Sequence, residues 1–251
     1  MSTVVPRIPK PANSRWFYSA ASILLLVLTL IGFRHFYLHL QAYPGRPLPP
    51  AALPIFIIHG LSMTVWMVLA VVQPLLVASG RKRIHIRIGK FAVLLAVVIV
   101  VTGYLIAVGA TRGTPPELIR FGLTPKEFLT VPLSGIVTFG LFVTLGVLSR
   151  RRPDVHRPLM FLASLSVVAA ALGRIAPLNN WYAGTWLESC FSAFVSMLLI
   201  GTLLLGLKCA LEKRFDRWYA GGLGLLTVIC LGTSLMAKTD AWDGVAAALL
   251  R

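Results

Sequence analysis

The sequence predicts an all-α integral membrane protein of about seven transmembrane helices, with a core bundle built from spans two to five. Three observations predict it. The chain is 57% hydrophobic and only 13% charged, whereas a soluble domain carries about a quarter charged residues. The apolar residues gather in runs of about 20, the length that crosses a hydrocarbon core. The basic residues fall in short segments between those runs, where they orient a membrane protein. That placement assigns the net charge of +16 to the lipid bilayer and speaks against nucleic acid as a partner.

Residues 1–16, MSTVVPRIPKPANSRW, read as a basic cytoplasmic tail. No small-residue cleavage pattern follows, so the first apolar run is expected to stay in the chain as a span. The spans are 17–38, 54–78, 90–110, 127–149, 158–177, 188–208 and 219–237, a single domain over 17–238, with 239–251 as a short outer tail. Four alternate segments hold 16 of the 24 basic residues: Arg7, Lys10 and Arg15; Arg81, Lys82, Arg83, Arg87 and Lys90; Arg150, Arg151, Arg152 and Arg157; Lys208, Lys213, Arg214 and Arg217. The positive-inside rule then places the N-terminus in the cytoplasm and, across an odd number of spans, the C-terminus outside. Trp16, Phe17 and Tyr18 on one side, and Trp181, Tyr182 and Trp186 on the other, fit headgroup-level aromatic belts.

Two connections carry local signals. YPGRPLPPAALP, residues 43–54, is proline-dense and is expected to be stiff and extended. Thr124-Pro125-Lys126-Glu127 has the spacing of a capping box with proline at the first helical position, and predicts the start of span four. Cys190, Cys209 and Cys230 form no CxxC pair and read as small apolar fillers.

The stretch HGLSMTVWMVLAVVQ, residues 59–73, puts His59, Met63, Trp66, Ala70 and Gln73 on one face of span two at 100° per residue. Lipid satisfies neither an imidazole nor an amide, so this face turns to the bundle. It is either a helix–helix seam or the lining of a ligand or cofactor pocket. In span five, Met160 follows His156 by four residues and Arg174 follows it by 18, five full turns, on the same face. A charge inside a span is a functional hypothesis by default. The plainer reading is that Arg174 snorkels outward or pairs with Glu188, the nearest carboxylate in sequence.

RKRIHIRIGK and RRPDVHRPLM each place an arginine four residues before a histidine, Arg81 before His85 and Arg152 before His156. Both lie between an inward-running and an outward-running span. Two such hairpins in a four-helix bundle bring His85 and His156 together at its inner end. Facing neutral imidazoles suit axial haem ligation, with nearby arginines pairing the propionates; the plainer reading is two water-exposed interfacial histidines. At the outer end His35 and His39 are four apart on one face. With His59 they form a candidate outer site for haem or for a metal such as zinc or copper.

HGLSM, a glutamine, a basic turn with HIRIG, and then HRPLM resemble an uncharacterised family of bacterial multi-pass inner-membrane proteins, from SRWFY to FDRWY. That resemblance implies the bacterial inner membrane. The order of histidines also resembles the transmembrane diheme b-type cytochromes that use ascorbate as donor. There one haem is held by the first and third core helices and one by the second and fourth. Carried over, the resemblance makes His85 and His156 the second-and-fourth pair and gives His59 to the other haem. Span four has no histidine, so an outer haem would take His35 or His39.

Three functions follow from these residues. One is b-type haem binding with transmembrane electron transfer, as an oxidoreductase or as the donor to a redox partner. Another is a haem-free carrier or receptor for a small molecule, lined by His59, Trp66, Gln73 and Arg174. The third is a structural subunit of a membrane complex. The eight carboxylates all lie in loops or at span ends, which argues against a proton-driven pump. No HExxH, GxSxG or GxxxxGK[ST] motif supports hydrolase or nucleotide chemistry.

Overall fold

The computed structural model describes residues 16–251; the basic tail expected over 1–16 lies, except for Trp16, outside them. The elements in chain order are α1 (Phe17–Gly32), α2 (Arg34–His39), β1 (Gln41–Tyr43), β2 (Arg46–Pro47), α3 (Leu53–Ala78), α4 (Lys82–Arg112), α5 (Pro125–Phe128), α6 (Thr130–Leu148), α7 (Pro153–Leu172), α8 (Trp186–Phe191), α9 (Val195–Glu212), α10 (Arg217–Met236) and α11 (Asp240–Leu249). Six helical segments, 50–78, 82–112, 125–148, 153–172, 186–212 and 217–236, are long and apolar enough to cross a membrane. This is the architecture of a multi-pass membrane protein.

The first predicted span differs from that pattern. It breaks at Phe33 into α1, of 16 residues, and the short α2. At 1.5 Å per residue α1 reaches about 24 Å, short of a hydrocarbon core of about 30 Å. The third predicted span errs the other way. α4 begins at Lys82, eight residues earlier than its apolar run, because Lys and Arg stems can lie along a helix while their charges reach water. His85 therefore sits in the first turns of a helix, not in a loop.

α3, α4, α6 and α7 close into a ring, with α3 on α4, α4 on α6, α6 on α7 and α7 back on α3. α7 is its inner member, because it also packs α1, α9 and α10. Two thirds of its apolar window (67%) is buried, against 11% for the 50–78 segment. Small residues make this possible. Ala163, Ser164, Ser166, Ala169 and Ala171 are all buried on α7, so neighbouring helices come close enough for dispersion contacts in a medium without a hydrophobic driving force. At one such place Gly32 lies against the Ala171 backbone, where a Cβ would stand 2.3 Å from the carbonyl oxygen.

Helix ends follow the sequence closely. Thr124 and Glu127 form the expected capping box, the Thr124 hydroxyl accepting from the Glu127 N–H and the Glu127 carboxylate from the Thr124 N–H at 2.7 Å. It caps α5, one residue ahead of α6. Thr124→Ala should lower stability by about 1 kcal/mol, read as a shifted midpoint of unfolding in detergent. α7 stops at Leu172, earlier than the predicted 177, since Pro177 cannot continue a helix. The Asn179 amide donates to the freed Leu172 and Ile175 carbonyls at 2.8 and 3.0 Å. The proline-dense 43–54 segment is not extended. It turns through Gly45, at φ 71°, into the β1–β2 hairpin and then a 3-10 turn over Pro50–Ala52. The sixth predicted span is likewise interrupted at Ser192, whose φ is 48°. The predicted tail over 239–251 contains α11, which docks Trp242 and Ala246 on Ala107 and Leu129.

Candidate functional site

The tight turns at Ser79–Arg81 and Ser149–Arg152 join α3 to α4 and α6 to α7. They bring the basic segments to one end of the ring, as the paired hairpins required. There the imidazoles of His85 and His156 lie with ring centroids 6.3 Å apart and planes at 85°. The residues around them are mostly exposed and basic, with Arg81 and Arg152 just ahead of α4 and α7 and Lys82, Arg83, Arg87 and Arg157 on their first turns.

Each ring is held from behind. His156 Nδ1 lies 2.8 Å from the Gly146 carbonyl of α6. A carbonyl only accepts, so Nδ1 carries the proton and Nε2 is left with a free lone pair. His85 Nδ1 meets the side-chain amide of Gln73 on α3. With the amide nitrogen turned towards the histidine, it donates to Nδ1 and to the His85 carbonyl at 3.3 Å, while the amide oxygen accepts from the Gly89 N–H at 3.1 Å. In that satisfied orientation Nδ1 is the acceptor, so the His85 proton sits on Nε2; turned the other way, the amide oxygen would face the His85 carbonyl oxygen and its nitrogen the Gly89 N–H. Gln73 therefore selects the tautomer of His85. Met160, one turn above His156, fills the gap over Gly146, where a Cβ would meet its sulfur at 2.7 Å.

The stripe on α3 faces the bundle, and its polar atoms are met there by neighbouring helices. His59 Nδ1 donates to the Thr102 hydroxyl of α4 at 2.9 Å, because that hydroxyl already donates to the Val98 carbonyl at 2.7 Å. Trp66, buried, donates to the Ser164 hydroxyl of α7 at 3.1 Å and stands edge-on to Phe139 of α6 at 4.7 Å. Met63 is partly buried against the same core. Gln73 is the stripe's one link to the histidine pair.

The opposite end, with the β1–β2 hairpin, gathers a second set. Arg174, just beyond α7, places its guanidinium 4.4 Å from the Phe33 ring and 4.8 Å from the Tyr43 ring. It donates to the Ala170 carbonyl at 2.5 Å. It makes no ion pair with Glu188, whose carboxylate accepts from the Gly184 N–H at 2.7 Å. Arg120 donates to the Tyr43 hydroxyl at 2.6 Å and lies 4.1 Å over its ring. His35 and His39 stand together with ring centroids 6.2 Å apart, while His59 is held by Thr102. Among the described residues no three of His, Cys, Asp and Glu stand close enough to hold a metal ion. In the adjoining loops, burial pushes the Tyr182 phenol up to about 12; it stays protonated and donates to Asn179 Oδ1 at 2.9 Å.

The chain matches no protein family, no curated protein and no solved structure. Function is therefore argued from these two ends alone. Sequence reasoning found both histidine pairs and Arg174 but missed their supports, which are Gly146, Thr102, Phe33, Tyr43 and Arg120. Only the aromatic residues left a signal, as rings in the segments flanking the arginines.

Proposed function

We propose that the chain is a seven-span membrane protein that holds one b-type haem at its basic end, between His85 and His156, and carries electrons through it. The observation that carries this reading is the spacing of the rings. The two imidazoles come from facing helices with ring centroids 6.3 Å apart, a pairing of the residue type that ligates haem iron. The backing hydrogen bonds support it as well. His156 is fixed through its Nδ1–H by the Gly146 carbonyl, the kind of outer partner that orients a metal-bound imidazole, and His85 would match it once its proton moved to Nδ1 and the Gln73 amide turned its oxygen to meet it. Arg157 is near enough to act electrostatically on His85, and it and its basic neighbours would pair with propionates.

When bound there by His85 and His156, haem would supply one-electron redox chemistry. The protein's own part is to hold the two imidazoles beside each other, to keep the starts of α4 and α7 basic, and to wall the pair with α3 and α6. In this reading α1 continued by α2 is the first crossing, the N-terminus and the histidine pair lie on the cytoplasmic face of a bacterial inner membrane, and a redox partner docks on the basic turns.

The test is an absorption spectrum of the full chain purified from haem-replete cells, oxidised and then reduced. The expected result is a Soret band and a reduced α band at one haem per chain. Both should be lost in His85→Ala and in His156→Ala, while His35→Ala and His59→Ala retain them. Colourless wild-type protein with native helicity would overturn the reading.

A further inference from the structure

The basic hairpin-end cleft is a separate matter from the histidine pair and does not depend on it. A small open cleft there is lined by Gly32, Arg34, His35, Tyr43 and Arg174 among others, and no carboxylate lines it. Two of its groups are buried polar atoms without a partner: Arg174 Nε and His35 Nε2. Buried donors and lone pairs are almost always satisfied in a folded protein, and an exception asks for an explanation. Among the described residues no carboxylate pairs with Arg174. Glu127 is spent on the Thr124 backbone and Glu188 on the Gly184 backbone.

The aromatic residues sharpen the point. The Arg174 guanidinium lies over both the Phe33 and the Tyr43 ring, which restrains it at the cleft. Arg120 braces Tyr43 from the other side through its hydroxyl. Two guanidiniums thus share one aromatic ring, an arrangement of like charges that an anion between or beside them would relieve. His35, in the tautomer that carries its proton on Nε2, would add a further donor on the same cleft.

We propose that this cleft is an oxyanion site, binding a carboxylate or a phosphate against the edge of Arg174 and the Nε2–H of His35. Planar guanidinium recognition selects an oxyanion over chloride. The anion is either free in the aqueous phase or the phosphate of an anionic lipid headgroup, and the two sources are separable.

The full chain is placed in nanodiscs of phosphatidylcholine alone, and inorganic phosphate is titrated against chloride at constant ionic strength while the unfolding temperature is followed. In a second arm the chain is reconstituted with a minor fraction of phosphatidylglycerol, and retained lipid is counted by native mass spectrometry. Saturable stabilisation by phosphate that is lost in Arg174→Gln and weakened several-fold in His35→Ala assigns a free anion. Retention of phosphatidylglycerol by the wild type, lost in the same variants, assigns the headgroup. Lys126→Gln, which removes an exposed pair with Asp243, should respond as the wild type does. Should Arg174→Gln fail to fold, His35→Ala decides alone. Neither stabilisation nor lipid retention, or an equal response in wild type and His35→Ala, overturns the proposal.

Discussion

Lys208→Met should unfold far more readily than the wild type, by about 3–5 kcal/mol in a denaturant titration in mixed micelles. The Lys208 ammonium is buried between α9 and α10, 2.6 Å from the Glu212 carboxylate and 3.0 Å from that of Asp216, with all three side chains less than a tenth exposed. Arg214 closes the group on Glu212 at 3.1 Å. The Phe17 and Tyr18 rings of α1 stand 5.7 and 5.4 Å from the ammonium. Asp216 does two things, since its other oxygen also accepts from the Trp218 and Tyr219 N–H groups at the start of α10. Removing the cation leaves two carboxylates in an apolar setting, and that is where the loss arises. The cost lies in carboxylates that lose their shared buried cation, with Arg214 still on Glu212, so removing one carboxylate charge should recover part of it. Lys208→Met with Glu212→Gln is therefore expected to be more stable than Lys208→Met alone. Equal stability of the single and double variants would show that Lys208 acts through packing only.

Gly32→Ala is expected to cost about 3 kcal/mol, near the upper end for overpacking. A methyl group there would meet the Ala171 backbone carbonyl at 2.3 Å and its Cα at 2.8 Å. Backbone cannot rotate aside as a side chain can, so α1 must move away from α7. By contrast, Gly222→Ala meets the tip of Leu162, also at 2.3 Å, and a leucine can change rotamer. The expected order is a clear loss for Gly32→Ala and a small one for Gly222→Ala, measured in the same micelle titration. The reverse order would refute the assignment of the α1–α7 contact to backbone.

The membrane class, the positions of the long helices and the capping box at Thr124 were legible in the sequence, because each depends on residues near one another in the chain. The meeting of His85 and His156 was legible for a topological reason: two hairpins of one orientation have to bring their turns to one end. Helix ends were less so. Apolar runs mark hydrocarbon, whereas helices follow backbone hydrogen bonding, so α4 outruns its apolar stretch and α7 stops short of Pro177. The break at Phe33 and the positive φ at Ser192 answer to tertiary packing and left no local trace. α11 did leave one. Thr239 followed by Asp240 and Asp243 is a helix start with negative charge in its first turn.

The site residues divide in the same way. Long polar side chains in apolar helices stand out by contrast, which is why His59, Gln73 and Arg174 were visible. Their partners are a carbonyl, a threonine hydroxyl and two aromatic rings, which carry no such contrast in a chain rich in all three.

The contact between Gly32 and Ala171 has a bearing on the cleft next to it. Phe33 follows Gly32 directly, and Arg174 stands three residues past Ala171, so the two flanks of the cleft are anchored at a point where main chain meets main chain. Side-chain motion cannot shift that point. On that side the cleft has a fixed wall, set by the separation of two helix axes, and only the hairpin and the side chains of Arg34 and His35 are left to adjust its width.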